Sequence, residues 1–171
     1  MLSELISRES ISSYRKGLFQ EGCSIFILPA RNQSVSSSID SYAPCRTSTI
    51  IAASLVTYSS RVEQGFESMT AENILQKSPF RVHGYAFDYI FNPSILEWQC
   101  RQLDTSLPEN SIEILLDIHS AVSGEMLESI RISNKSSGNN EIVGHTCELL
   151  VDPLGKIIPE LFRIPQPFAA R

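Results

Sequence analysis

The clearest pattern in the chain is a two-residue alternation in its last third. In SIEILLDIH, Ile112, Ile114, Leu116 and Ile118 fall on one face of an extended backbone. Glu113, Asp117 and His119 fall on the other, with Leu115 as the exception. AVSGE supplies a turn and MLESIRIS a returning strand, so residues 111–133 are predicted to form a β-hairpin. A sheet that alternates in this way keeps one side buried and one side wet. Further on, EIVGHTCELLV predicts a third strand and DPLGK a turn. IIPELFRIPQPF predicts an extended segment, because its three prolines cannot donate to a ladder.

The earlier part of the chain mixes periods. Leu2, Leu5, Ile6, Tyr14, Leu18 and Phe19 are loosely helical in spacing and predict one or two short helices, ending near Gly17 or Gly22. CSIFILPA reads as a strand stopped by Pro29, and the serine-rich stretch 31–46 as a flexible loop. In TSTIIAASLVTYSSRV, Ile51, Leu55, Tyr58 and Val62 share a helical face, with Thr47 or Ser48 as the cap. The β-branched content of the same stretch keeps a buried strand open. Thr70 is placed to cap a short helix through AENILQK, ended by Pro79. Asn92 and Pro93 look like the cap and first turn of a helix carrying Ile95, Leu96, Cys100 and Leu103 on one side. The expected architecture is a single α+β domain over 1–171. It has an antiparallel sheet, helices early and central packed on one face, and a Pro-rich C-terminal segment at 157–171.

RVHGYAFDYIF, residues 81–91, sets the functional question. Its odd positions are Arg81, His83, Tyr85, Phe87, Tyr89 and Phe91. On a strand these side chains form either an inward core face or an exposed platform on which unstacked bases could lie. HGYAFDYI resembles the third-strand signature of RNA-recognition motifs at Gly84, Tyr85, Ala86 and Phe87, with an echo of the first-strand signature in Ile25, Phe26 and Ile27. That resemblance implies single-strand binding by the aromatic strand 83–91. His83, Asp88 and Ile90 depart from the signature, at the positions for a phosphate-holding base, a core aliphatic and a final aromatic. Tyr85, Phe87 and Tyr89 are therefore candidate binding residues. So are Phe162, Ile164 and Phe168, whose apolar side chains, spaced by prolines, could dock as an extended arm on a neighbouring chain.

Composition narrows the choice. The chain has 171 residues, a net charge of -5 and a pI near 5.2, with no basic run. Phosphate-rich partners are disfavoured as the main ligand. Charged residues make up only 19% and serine about 15%, a polar but sparsely charged surface that favours weak self-association. Cys23, Cys45, Cys100 and Cys147 are widely spaced and form no C-x-x-C pair. MLSELISRES has no apolar signal core, and IIAASLVTY is too short to span a bilayer. These features lead to an expectation of an intracellular protein with reduced thiols.

Catalytic chemistry finds few footholds. His83, His119 and His145 could hold a zinc ion if three strands converged. Asp117 and His119 could act as orienter and base for Ser129 or Cys147, yet no G-x-S-x-G elbow is present. SSGNN lacks the Lys-Ser/Thr of a phosphate loop. The expectation is a non-enzymatic structural or adaptor protein that takes no cofactor and whose partner is a protein or a second copy of itself. A viral matrix or accessory component is one example of this kind. The alternatives are the nucleic-acid module on 83–91 and a small hydrolase or metal enzyme centred on His119.

Overall fold

A computed structural model describes residues 6–35, 42–66, 68–100, 109–137 and 146–162. The alternation at 112–118 lies in the middle of its main sheet. Strand β1 is Ile6–Ser7, β2 Ser10–Ile11, β3 Ser24–Ile27 and β4 Arg31–Asn32. Helix α1 (Ala43–Leu55) leads to β5 (Arg61–Gln64), α2 (Ala71–Leu75), β6 (Arg81–Val82) and β7 (Tyr85–Ala86). Three long strands follow: β8 (Tyr89–Gln99), β9 (Asn110–Ser120) and β10 (Met126–Ser137). A 3₁₀ turn at Thr146–Leu150 runs into α3 (Val151–Leu161).

The sheet order is β1-β10-β9-β8-β3-β5, with β2 also on β10 and β4 also on β8. The predicted hairpin is present as β9 and β10, antiparallel to each other, and β9 is antiparallel to β8. The sheet is mixed, however, and not antiparallel throughout. β3 runs parallel to both β5 and β8, and β4 parallel to β8. The reason is the crossover: the connection from β3 to its neighbour β5 passes through α1, and a helical crossover returns the chain in the same direction.

Two apolar clusters sandwich this sheet. Ile25, Ile27, Phe91, Ile114, Leu116 and Ile118 face α1 and α3 in the larger one. Their alternates on β3 and β8, Phe26 and Ile90, join Leu28, Phe80, Phe87 and Ile74 of α2 in the smaller. Helices therefore lie against both faces, which corrects the one-sided arrangement read from the sequence.

Residues 92–99 form a strand, where the Asn92-Pro93 cap signal predicted a helix. Burial decides the matter: Ile90 to Ile95 are buried without interruption, as in a central strand covered on both faces. Phe91 and Ile95 accept hydrogen bonds from the backbone N–H of Leu28 and Gln33. Pro93, midway between them, turns its missing N–H toward the gap between β3 and β4, where no ladder bond is required. Between Ile95 and Glu97 the register slips by one, leaving Leu96 as the extra residue of a bulge. Ile95 and Trp98, three apart, consequently both face the larger cluster, a spacing that imitates a helix.

Helix α1 is present but starts at Ala43, before the predicted cap and inside the predicted loop, with Pro44 in its first turn. Thr47 and Ser48 are buried instead. The Thr47 hydroxyl donates to the Ala43 carbonyl at 2.8 Å, and Ser48 Oγ accepts from the Ala30 N–H at 3.1 Å. α2 is capped as expected, Thr70 Oγ1 accepting from the Asn73 N–H at 3.3 Å. Residues 6–20 hold the short strands β1 and β2 on β10 in place of helices, and Leu2 and Leu5 lie outside the described residues. Serines and the β-branched Ile11 suit an edge strand better than a helix.

The C-terminal reading needs the largest correction. Residues 146–162 form a 3₁₀ turn and a helix, where the sequence predicted a strand, a turn and the start of an extended segment; the rest of that segment, 163–171, lies outside the described residues. Leu154, Ile157, Ile158 and Leu161 are all fully buried, at the i, i+3, i+4, i+7 spacing of an amphipathic helix. Pro153 sits in the first turn, where its missing N–H costs nothing.

Cys23, Cys45 and Cys100 are free thiols. Burial, with a lesser contribution from the Asp88 carboxylate, pushes the Cys23 thiol from 9.0 up to about 11. At pH 8 its thiolate is about a hundredfold scarcer than that of an unshifted thiol. Iodoacetamide should therefore modify exposed Cys45 well before Cys23, as read by peptide mass mapping; equal rates would contradict the burial. Above pH 9 the unfolded chain releases the Cys23 proton while the folded chain keeps it, so this group lowers stability as pH rises there.

Candidate functional site

The aromatic segment does not form one face. His83 and Gly84 both have positive φ, 49° and 79°, and make the two-residue turn between β6 and β7. Residues 81–91 thus bend in the middle, and the octamer similar to an RNA-recognition strand straddles a hairpin. Tyr85 is 58% exposed on that hairpin. The Arg61 guanidinium lies 4.0 Å from its ring centroid and 5.5 Å from that of Phe87, and it also pairs with Glu63. Phe87 is buried in the smaller cluster, edge-on to Phe26 at 5.3 Å. Tyr89 and Phe91 turn to the larger cluster, where the Phe19 ring is 4.3 and 5.7 Å away. Asp88, out of place in the signature, ties β8 to the start of β3. Its Oδ2 accepts from Ser24 N–H at 2.8 Å and from Ser24 Oγ at 3.1 Å.

Phe162 is a core residue. Its ring packs 5.2 Å from Phe19 and stacks at 5.3 Å on Tyr58. The N–H groups of Gly17 and Phe19 donate to the carbonyls of Glu160 and Leu161, both at 2.9 Å, so the N-terminal segment clasps the end of α3. Ile164 and Phe168 lie outside the described residues.

The polar face of β9 and β10 holds the residues singled out for acid–base chemistry. Ser129 Oγ donates to Asp117 Oδ1 at 2.6 Å, directly across the ladder. His119 Nδ1 is 3.3 Å from the Gly124 carbonyl, in the turn of the hairpin. Asp117 is thus engaged by Ser129 and His119 by the loop, and the orienter–base–nucleophile chain considered for Asp117, His119 and Ser129 is not assembled. His83 is exposed in its turn; His145 and the side chain of Cys147 lie outside the described residues. Among the described residues, no three His, Cys, Asp or Glu side chains converge on a metal-sized site. No helix among them is long and apolar enough to cross a membrane.

Two concavities went unnoticed in the sequence. One, about 410 Å³, lies between α1 and α3 and is lined by Ile50, Ala53, Tyr58, Leu154, Ile158 and Pro159, with half-exposed Val151 also on its wall. Ile50 and Ala53 on α1, with Thr57 just past its end, form a second stripe beside the Ile51–Leu55 stripe that faces the core. That spacing was the available signal. The other, about 430 Å³, lies beside α2.

No family model matches this chain, and no curated protein does. Solved structures share its fold. The PelC dodecamer from Paraburkholderia phytofirmans is similar over 94% of this chain and 100% of its own, with a TM-score of 0.63 at 10% identity. Lipoprotein GNA1162 from Neisseria meningitidis is similar over 80% and 98%, with a TM-score of 0.53 at 16% identity. Protein XCC0632 from Xanthomonas campestris, described as DUF330, is similar over 82% and 84%, with a TM-score of 0.53 at 10% identity. At such identities the likeness is one of fold: a mixed α+β architecture shared along most of the chain.

Proposed function

We propose that this chain is a non-enzymatic assembly protein that works through protein–protein contacts and associates with copies of itself. The observation that carries the reading is the end-to-end fold likeness to a chain that forms a dodecamer. The sparse charge of the surface and the apolar hollow between α1 and α3 support it, since depleted charge and an apolar centre are what an interface needs. The alternative platform at 83–91 draws less support, because Phe87 and Phe91 are buried and Tyr89 half-buried, and Arg61 covers one side of exposed Tyr85.

Size-exclusion chromatography with light scattering tests the proposal. A discrete oligomer is expected. Gly155→Glu is the companion variant: a side chain at Gly155 meets open space, so the change fits the folded chain yet places a carboxylate at the hollow. It should weaken association at least about tenfold with an unchanged far-UV spectrum. A wild-type chain that stays monomeric at millimolar concentration would overturn the reading. An oligomer indifferent to Gly155→Glu would move the interface elsewhere.

A further inference from the structure

The smaller apolar cluster opens to solvent at a cleft of about 430 Å³ beside α2. Its floor is Met69, Ile74, Pro79 and Phe80. Ile74 and Phe80 belong to the cluster itself, and Met69 packs against it. The floor is held in place. The Phe80 N–H donates to the Ala121 carbonyl at 2.8 Å and its ring meets Phe26 at 4.9 Å, while the Lys77 N–H donates to the Ile74 carbonyl at 3.1 Å.

The rim carries Lys77 and Arg81, both exposed. Elsewhere Lys16, Arg61, Arg131 and Lys156 each meet a carboxylate, while Arg8, Arg15, Arg31 and Lys135 neither line this cleft nor form an ion pair among the described residues. Among the described residues Lys77 and Arg81 have no ion-pair partner, in a chain whose net charge is -5. Two unpaired cations beside an apolar floor, in an otherwise acidic protein, are complementary to a molecule with one charged end. The volume lies within the range of small-molecule sites, roughly 300–1,000 Å³.

We propose that this cleft binds a small amphiphile with a single anionic head, carboxylate or phosphate. The head lies between Lys77 and Arg81, and the alkyl chain lies along Met69, Ile74 and Phe80. Charge-assisted contacts fix the head, and burial of methylenes supplies the rest of the affinity. The site is separate from the hollow between α1 and α3, so the proposal stands independently of self-association.

Calorimetric titration of the full chain with decanoate, decyl phosphate, decanol and inorganic phosphate is the test. Decanoate and decyl phosphate should bind and compete with each other; decanol should bind about tenfold more weakly, and inorganic phosphate not measurably. Lys77→Gln with Arg81→Gln should weaken decanoate about tenfold or more at an unchanged melting temperature, since both side chains are exposed. Asn73→Trp, a change at an exposed position on the cleft wall, should block it. Failure of decanoate to bind, or undiminished binding by the double variant and by Asn73→Trp, overturns the proposal. Binding of inorganic phosphate as tight as that of decyl phosphate overturns the alkyl half and leaves a plain anion site.

Discussion

Phe162→Ala should destabilise the protein by about 3–5 kcal/mol, the range for removing a buried aromatic ring. The ring is 3% exposed and joins Phe19 of the N-terminal segment to Tyr58 beyond the end of α1. Its removal leaves a void where three separate parts of the chain meet, and the backbone clasp from Phe19 to Leu161 limits collapse. A guanidinium titration measures the effect as a lower midpoint at unchanged slope. A loss below about 1 kcal/mol would mean that the ring is dispensable to the core, and would return it to the set of free binding residues.

Leu116→Asp should leave no folded protein, whereas Leu115→Asp should cost only ~1 kcal/mol. Leu116 is fully buried in the larger cluster, and a carboxylate there would lose its water with no partner in reach. The effective cost of several kcal/mol is comparable with the whole stability of an ordinary domain, about 5–15 kcal/mol. Leu115, one residue earlier, lies on the opposite face, across the ladder from Ser94 and Arg131. An aspartate there gains an opposite charge next to it. Circular dichroism of the two purified variants checks the contrast, and similar spectra for both would contradict the assigned register.

The same two residues show what was readable in the sequence. On β9 the core face follows strict alternation, so Ile112 to Ile118 and the hairpin could be assigned without a structure. On β8 the alternation is broken by the bulge at Leu96, and Asn92-Pro93 offers a local helix start that nothing nearby contradicts. Only the neighbours of β8, which are distant in sequence, decide that it is a strand. The C-terminal helix is hidden for the opposite reason. Leu154, Ile157, Ile158 and Leu161 carry a helical period, but Pro153, Gly155 and Pro159 are local breakers that mask it. Parallel pairing of β3 with β5 and β8 leaves no trace in local pattern.

The candidate surfaces were less readable than the fold. Alternation across 81–91 looks continuous because sequence spacing cannot reveal the positive φ at His83, a conformation uncommon outside glycine. Both hollows arise between elements distant in the chain or folded around a turn, so no single stretch announces them. Lys77 and Arg81 look like ordinary surface charges until the cleft they share is in view.

The attachment of β1 and β2 to β10 has a consequence for biosynthesis. Ser10 and Ile11 pair with Ser133 and Ile132, more than a hundred residues further along. At ribosomal speeds of about 5–20 residues per second, the first strands wait on the order of ten seconds before their partner exists. Until the later strands emerge, β3 lacks β8, and Phe19 lacks Tyr89, Phe91 and Phe162. The nascent chain therefore carries unmatched apolar groups until β8, β9, β10 and α3 have emerged.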